Sequence, residues 1–143
     1  MIEINNLTNF QIDEIFLKKV AKKVFQGENK KEGELSIALV GPAIIKKLNK
    51  KYRGQNQPTD VLSFSQSPTS NFQCLRVGLG EIIICPQQIR KNAKKFKTDF
   101  EKELIFVLIH GILHLLGYEH EESGEKAKKM NEREKYYISK IKA

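Results

Sequence analysis

All three histidines of this 143-residue chain lie in one short stretch, HGILHLLGYEH, from His110 to His120. His110 and His114 are four residues apart in an apolar segment that predicts a helix, so both imidazoles can point to the same side of it. Gly117 can end that helix at positive φ, which allows His120 to fold back toward the other two. The stretch therefore constrains the fold: one helix must hold the imidazoles of His110 and His114 side by side, and the chain must turn after Gly117 so that His120 lies near them.

Three imidazoles around one point, with a fourth position open, are the ligand arrangement of a catalytic zinc ion, whereas structural zinc normally has four protein ligands. We therefore expect His110, His114 and His120 to bind one metal ion per chain. Zinc suits three imidazoles best, although nickel and copper also accept such ligands. The alternative is that the first two histidines only face the core of an apolar helix.

The spacing of the histidines and the glycine also matches the HExxHxxGxxH signature of the metzincin proteases. In those proteases the glutamate after the first histidine activates the attacking water, and this chain has Gly111 at that position. The spacing alone favours a minimal metalloprotease, and the missing base argues against one.

The rest of the chain contains hydrophobic periodicities and turn residues that predict elements in the order βαβαββααα. This order predicts one α+β domain over residues 1–143, with a small mixed four-stranded sheet covered by about five helices. Strands are expected at 1–4, 34–40, 61–65 and 79–85, and helices at 10–25, 42–52, 87–97, from Thr98 or Asp99 to Gly117, and 122–141.

The chain is strongly basic, with 25 Lys and Arg against 17 Asp and Glu and a formal net charge of +8. A basic surface attracts polyanions, and neutralised phosphates supply much of the affinity of a protein for nucleic acid. A lysine-rich genome composition would raise the number of glutamates as well, so we expect a nucleic acid partner. Lysine pairs are expected on solvated helix faces, and those near Arg53 can extend a path for RNA phosphates: Lys18-Lys19, Lys22-Lys23, Lys46-Lys47, Lys50-Lys51 and Lys94-Lys95.

The sequence has no apolar run long enough to span a bilayer, and its first residues lack the basic start and apolar stretch of a secretory signal. A cytoplasmic protein without membrane contact is the expectation. Cys74 and Cys85 do not form a CxxC pair, so both are expected to be reduced thiols, with Cys85 buried at a strand end.

The histidine stretch, read together with LNKKYRGQNQPTDVLSF (Leu48 to Phe64) and GEIIIC (Gly80 to Cys85), resembles the YbeY family. Members of this family are bacterial metal-dependent endoribonucleases involved in ribosomal RNA maturation. The order and spacing of the blocks match over most of the chain. The family pattern HGxLHLxGYDH is specific, and the chain departs from it at Glu119, where aspartate is usual.

The resemblance implies an α+β metallohydrolase domain that binds zinc through His110, His114 and His120, with Arg53 and His114 important for catalysis. It implies single-stranded segments of ribosomal RNA as substrate, a role in ribosome quality control, and contacts with proteins of the small ribosomal subunit. The residues suit this chemistry. A metal can activate water or polarise a phosphoryl oxygen, and a guanidinium can stabilise the charge that develops on a phosphodiester.

A different class of function stays open beside the nuclease and the protease. The chain can be a ribosome assembly factor whose metal is structural and only fixes the end of the histidine helix. The roles of Thr59 and Asp60 also stay open: they either orient a ligand histidine or only form the turn before a strand. Three aromatic residues are candidates to stack on RNA bases, with Phe64 the one expected in the core: Tyr52, Phe64 and Tyr118.

Overall fold

The computed structural model describes residues 2–29, 34–65, 80–118 and 124–142. Its elements follow the predicted order βαβαββααα, which confirms the α+β fold. They are β1 (Ile2–Asn6), α1 (Glu14–Gly27), β2 (Leu35–Leu39), α2 (Pro42–Arg53), β3 (Val61–Ser65), β4 (Gly80–Ile84), α3 (Pro86–Lys95), α4 (Phe100–Leu115) and α5 (Glu125–Lys142).

The four strands form the mixed sheet that the sequence predicted, in the spatial order β1-β2-β4-β3. β1, β2 and β4 are parallel, and β3 runs antiparallel to β4 with Val61 opposite Ile84. Because successive residues of a strand point to opposite faces, the sheet separates two hydrophobic clusters. Ile82 and Ile84 belong to the larger cluster, and Ile83 belongs to the smaller one.

The larger cluster lies between the sheet and four helices, α1, α3, α4 and α5. The smaller cluster lies under α2 on the other face, where Ile45 packs with Leu62, Ile83 and Cys85. The molecule therefore has three layers, with α2 on one side of the sheet and the other helices opposite.

α4 is the central helix of the larger layer and is apolar on almost all sides, as expected of a buried helix. Asp99 caps it by accepting a hydrogen bond from the backbone N–H of Lys102, and Glu101 and Glu103 lie in its first turn. Its buried side chains pack against the sheet and the surrounding helices, each contributing about 1.5–3 kcal/mol: Leu104, Ile105, Val107, Leu108, Ile109, Ile112 and Leu113.

The predicted start of the first helix, at Phe10, is wrong. α1 begins at Glu14, because the side chain of Asp13 accepts the N–H of Phe16 and caps the helix there. Phe10 lies in the preceding loop, where its ring stacks on Phe100 with 5.7 Å between ring centroids. At the third helix, Pro86 does not precede the helix but occupies its first turn, where its missing N–H removes no helical hydrogen bond.

Cys85 is a buried free thiol at the end of β4, as predicted, and burial raises the pKa of its thiol. Cys74 lies outside the described residues. In the described part of the chain, no helix is both long and apolar enough to cross a membrane.

Candidate functional site

His110 and His114 face each other near the C-terminal end of α4. Their Nε2 atoms are 3.0 Å apart, and their ring planes meet at 80°. Two imidazole ligands of a tetrahedral zinc ion, each about 2.0–2.1 Å from it, would have their nitrogens about 3.4 Å apart. The helix therefore holds the two rings close to the separation that a shared metal ion requires.

The other ring nitrogen of each histidine has its own acceptor. Nδ1 of His110 lies 2.8 Å from Oε2 of Glu134, and Nδ1 of His114 lies 3.1 Å from the carbonyl oxygen of Tyr118. A carbonyl oxygen can only accept, so Nδ1 of His114 is assigned the proton and its Nε2 keeps a lone pair. A carboxylate favours the same tautomer of His110. This is the arrangement in which metal-binding histidines are usually found, so the residues fit a metal ion.

Glu134 is a candidate site residue that sequence reasoning missed. It lies on α5 between Met130 and Tyr137, on the side that packs against the core, and is only 2% exposed. A carboxylate in such a place needs a partner, because burial without one is costly. The sequence did carry a signal, since a charged residue occupies a position of the apolar stripe of the helix.

The backbone after α4 brings the Tyr118 carbonyl to His114. Gly117 has a φ of +103°, as its position at the helix end predicted. The N–H of Gly117 donates to the carbonyl of His114, and the N–H of Tyr118 donates to that of Leu113. This pair of bonds is a Schellman motif, which reverses the chain direction directly beside the two rings.

Gly111 faces the sheet. A Cβ at this position would lie 3.2 Å from Oγ of Ser63 and 3.3 Å from Cδ1 of Ile82. The hydroxyl of Ser63 also donates to the carbonyl of Gly111 at 3.4 Å. The position that carries the catalytic glutamate in metzincins is therefore filled by the contact between helix and sheet, which argues against a protease mechanism.

The third predicted ligand, His120, and the neighbouring Glu119 lie outside the described residues. Among the residues that the structure describes, no group of three His, Cys, Asp or Glu side chains is arranged to hold a metal ion. The described part of the candidate site consists of two histidines, the carboxylate of Glu134 and the carbonyl of Tyr118.

Arg53 is the last residue of α2 and is exposed, so it belongs to the helix and not to the following loop. Lys50 and Lys51 lie in the same last turn, which makes this end of α2 strongly positive. Arg53 is on α2 and the histidine pair is on α4, two helices that pack against opposite faces of the sheet.

Thr59 and Asp60 behave as turn residues. The hydroxyl of Thr59 donates to Oδ1 of Asp60 at 3.4 Å, and the carbonyl of Asp60 accepts the N–H of Cys85 at 2.9 Å. Because Glu134 and Tyr118 occupy Nδ1 of the two described histidines, neither Thr59 nor Asp60 has that role for them.

The three aromatic residues predicted to stack on bases are all half-buried. The rings of Tyr52 and Phe64 meet edge to face with 5.1 Å between centroids, and Phe64 packs against the smaller cluster, as expected. The hydroxyl of Tyr118 donates to Glu28. Phe106, which the sequence did not single out, is 37% exposed, and its ring lies 5.9 Å from that of His110.

Comparison with known proteins identifies the family of this fold and site. A family model described as Endoribonuclease YbeY matches residues 3–142. A relative of that name from Petrotoga mobilis is 40% identical over 144 residues, which cover 98% of this chain and 96% of the relative. A relative of the same name from Thermotoga petrophila is 40% identical over 127 residues, covering 87% of this chain and 80% of its own.

Among solved structures, the solution structure of a protein from Thermotoga maritima is similar, with a TM-score of 0.68 and 34% sequence identity. The match covers 99% of this chain and 89% of that one. Sequence and structure agree along nearly the whole length, and the chain belongs to the YbeY endoribonuclease family.

Proposed function

We propose that this chain is a zinc-dependent endoribonuclease that cleaves single-stranded segments of ribosomal RNA in the cytoplasm, during ribosome maturation and quality control. The observation that carries the proposal is the pair of imidazoles on α4, whose Nε2 atoms lie 3.0 Å apart while each Nδ1 is held by an acceptor. His110 and His114 would hold the metal together with His120.

Each part of the described site has a stated task in this proposal. Bound zinc supplies a Lewis acid for the phosphodiester and a means to activate water at neutral pH. His110 and His114 fix the position of the ion, and Glu134 and the Tyr118 carbonyl keep both rings in the binding tautomer. Arg53 offers a planar fork of donors to the charge that develops on the phosphate oxygens.

The charge of α2 supports RNA as the substrate. Four lysines of this helix are exposed, and Arg53 ends it: Lys46, Lys47, Lys50 and Lys51. Contacts of such side chains with phosphates provide sequence-independent affinity, which suits a nuclease that acts on exposed single strands. Contacts with proteins of the small ribosomal subunit are part of the same proposal.

The test is a cleavage assay on end-labelled single-stranded RNA, together with elemental analysis of each protein. We expect about one zinc ion per chain in the wild type, and loss of zinc and cleavage together in His114→Ala. Arg53→Ala should keep its zinc and its fold and lose cleavage by about 100-fold or more. Arg90→Ala, which removes another exposed arginine, is the matched control and should cleave normally.

Two outcomes would contradict the proposal. Full cleavage by metal-free His114→Ala would show that the metal is not catalytic. Full cleavage by Arg53→Ala would remove Arg53 from the reaction.

A second candidate function is a ribosome assembly factor with a structural metal. The observation that favours it is Glu134, a carboxylate in contact with the histidine pair, whose side chain is 3% exposed and already engaged with His110. Such a group is poorly placed to act as a general base. If this candidate is correct, removal of zinc lowers Tm, and Arg53→Ala still complements a strain that lacks the gene.

A further inference from the structure

A cluster of four side chains is linked to His114 through Tyr118. We call it the Glu28 cluster; it consists of Glu28, Tyr118, Arg133 and Tyr137. Glu28 follows α1, Tyr118 follows α4, and the other two residues lie on α5. Three separate parts of the chain therefore meet at one carboxylate.

Glu28 accepts from every other member of the cluster. Its Oε1 accepts the hydroxyl of Tyr118. Its Oε2 accepts the hydroxyl of Tyr137 and two nitrogens of Arg133, Nε at 2.8 Å and a terminal nitrogen at 2.7 Å. The same guanidinium also donates to the Tyr137 hydroxyl at 2.8 Å. Both oxygens of the carboxylate are thus engaged, so its orientation is fixed.

The cluster stabilises the charged form of the Glu28 carboxyl in spite of its burial. The Glu28 side chain is only 8% exposed, and burial alone would raise the pKa of its carboxyl. Hydrogen bonds from Tyr118, Tyr137 and Arg133, together with the charge of Arg133, outweigh that effect and hold the pKa below its ordinary value. Glu28 therefore accepts as a carboxylate, and charge-assisted bonds of this kind are the stronger ones.

Tyr118 joins this cluster to the candidate metal site. Its hydroxyl is held by Glu28, and its backbone carbonyl accepts Nδ1–H of His114. It directly follows Gly117, where positive φ takes the chain out of the helix. The bond from its N–H to the Leu113 carbonyl fixes one side of this residue, and the side-chain anchor at Glu28 adds a second restraint on where its carbonyl lies.

α5 supports both histidines through two neighbouring residues. Glu134 contacts His110 directly, at 2.8 Å. Arg133 acts on His114 indirectly, because it holds Glu28, which holds Tyr118. One turn of α5 therefore carries two separate lines of support, one for each ring.

We propose that Glu28 is a positioning residue for metal binding, which sets the ring orientation of His114 through Tyr118. The proposal rests on the ligand role of His114 given above and adds a line of support that starts 90 residues earlier in the chain. Loss of Glu28 keeps both imidazoles in the chain but frees the Tyr118 carbonyl, which orients the ring of His114.

The test is a double-mutant cycle on zinc affinity, measured by competition with a chelator and without RNA. Glu28→Gln and Tyr118→Phe should each weaken zinc binding about tenfold, the lower end of the effect of removing an outer partner of a metal ligand. Both substitutions break the same chain of contacts, from Glu28 through Tyr118 to His114. The double variant should therefore bind zinc no more weakly than the worse of the two single variants. Glu134→Gln acts on the other ring, so its effect should multiply with either of them.

Two further measurements distinguish positioning from a general loss of stability. The visible absorption of the cobalt-substituted protein should shift in Tyr118→Phe, because the ligand geometry changes. In metal-free Tyr118→Phe, the ¹⁵N NMR signals of His114 should show that the Nδ1–H tautomer is no longer the only one present. Tyr136→Phe, which removes the hydroxyl of an exposed tyrosine of α5 and keeps the ring that packs on Arg133, is the matched control and should change neither.

The outcomes separate this inference from the proposed function. Lower Tm with unchanged zinc affinity and an unchanged cobalt spectrum would overturn it, since the cluster would then be only structural. Zinc binding that follows the expected cycle in a protein that cleaves no RNA would support it and contradict the nuclease proposal. A wild-type protein that binds no zinc would overturn both.

Discussion

Phe106 lies one helical turn before His110, and its ring is exposed beside the candidate site. If the substrate is single-stranded RNA, a base next to the cleaved phosphate can stack on this ring, and one such stack contributes about 1–3 kcal/mol. We expect Phe106→Ala to raise KM about tenfold with little change in kcat, and Phe106→Tyr to behave as wild type.

The control for this prediction is Phe96→Ala. Phe96 is 64% exposed but follows α3, on a different helix from the histidines. Steady-state cleavage of a short RNA oligonucleotide by the three variants measures the effect. An equal rise of KM in Phe96→Ala, or no rise in Phe106→Ala, would show that Phe106 does not contact the substrate.

Glu28 makes the stability of the protein depend on pH in a defined direction. Hydrogen bonds from its cluster hold its pKa below the ordinary value of 4.5, despite the opposing effect of burial. A carboxyl group with a lower pKa in the folded than in the unfolded state stabilises the fold above the unfolded value. That contribution is lost as pH falls through the folded value. We therefore expect the free energy of unfolding to decrease as pH falls below about 4.5.

Urea denaturation of the metal-free protein at a series of acidic pH values measures this decrease. Glu28→Gln should be less stable at neutral pH by about 2 kcal/mol, as expected for a lost charged hydrogen-bond partner, and should show a smaller further loss on acidification. Glu132→Gln, which removes an exposed carboxylate of α5, should follow the wild type. Parallel curves for wild type and Glu28→Gln would contradict this origin of the pH dependence.

The sequence predicted the candidate site only as far as local geometry extends. Helical spacing is enough to place His110 and His114 together, and a glycine at a helix end is enough to predict positive φ at Gly117. Glu134 and Glu28 could not be paired with the histidine stretch in this way. Their partners lie 24 and 90 residues away, and only the packing of α5 and α1 around α4 brings them there.

At the scale of elements, the contact of α4 with the sheet is close at Gly111. We expect Gly111→Glu to destabilise the protein by at least about 3 kcal/mol, since overpacking costs about 1–3 kcal/mol and the buried carboxylate adds a further penalty. Restoring the metzincin signature in this way should therefore produce no protease activity.

Gly111→Ala is the matched control for this contact. Its methyl group requires Ser63 and Ile82 to move by only a few tenths of an ångström, and alanine favours the helix by about 1 kcal/mol relative to glycine. Its stability should therefore stay within about 1 kcal/mol of the wild type in urea denaturation. A stable Gly111→Glu variant would show that α4 can move away from the sheet.

The order of elements was predictable from sequence, but their ends and neighbours were less so. Alternation and apolar runs identify the strands, because these patterns reflect burial on the faces of a sheet. The start of α1 was misplaced because Phe10 continues the apolar periodicity, whereas the local cap at Asp13 decides where the helix begins. The strand order β1-β2-β4-β3 depends on pairings distant in sequence, which no local pattern specifies.

At the scale of the whole molecule, the three layers place the lysines of α1 and α2 on opposite sides of the sheet. The net charge of +8 alone does not specify which side binds RNA. Arg53 and the lysines of α2 lie on one helix, so the proposed function assigns the phosphate path to that helix. The α1 lysines then contribute only to the general field of the protein.

This assignment predicts a difference in salt dependence between two matched double variants. Each phosphate contact contributes about −0.7 to the slope of log affinity against log salt for a single strand. Lys50→Gln with Lys51→Gln on α2 should therefore weaken binding of single-stranded RNA and make the slope shallower by about 1.4. Lys22→Gln with Lys23→Gln, two exposed lysines of α1, removes the same charge and should leave the slope nearly unchanged. Fluorescence anisotropy with a labelled RNA at several salt concentrations measures both slopes. Equal changes of slope in the two double variants would mean that the net charge of the protein attracts RNA without a path along α2.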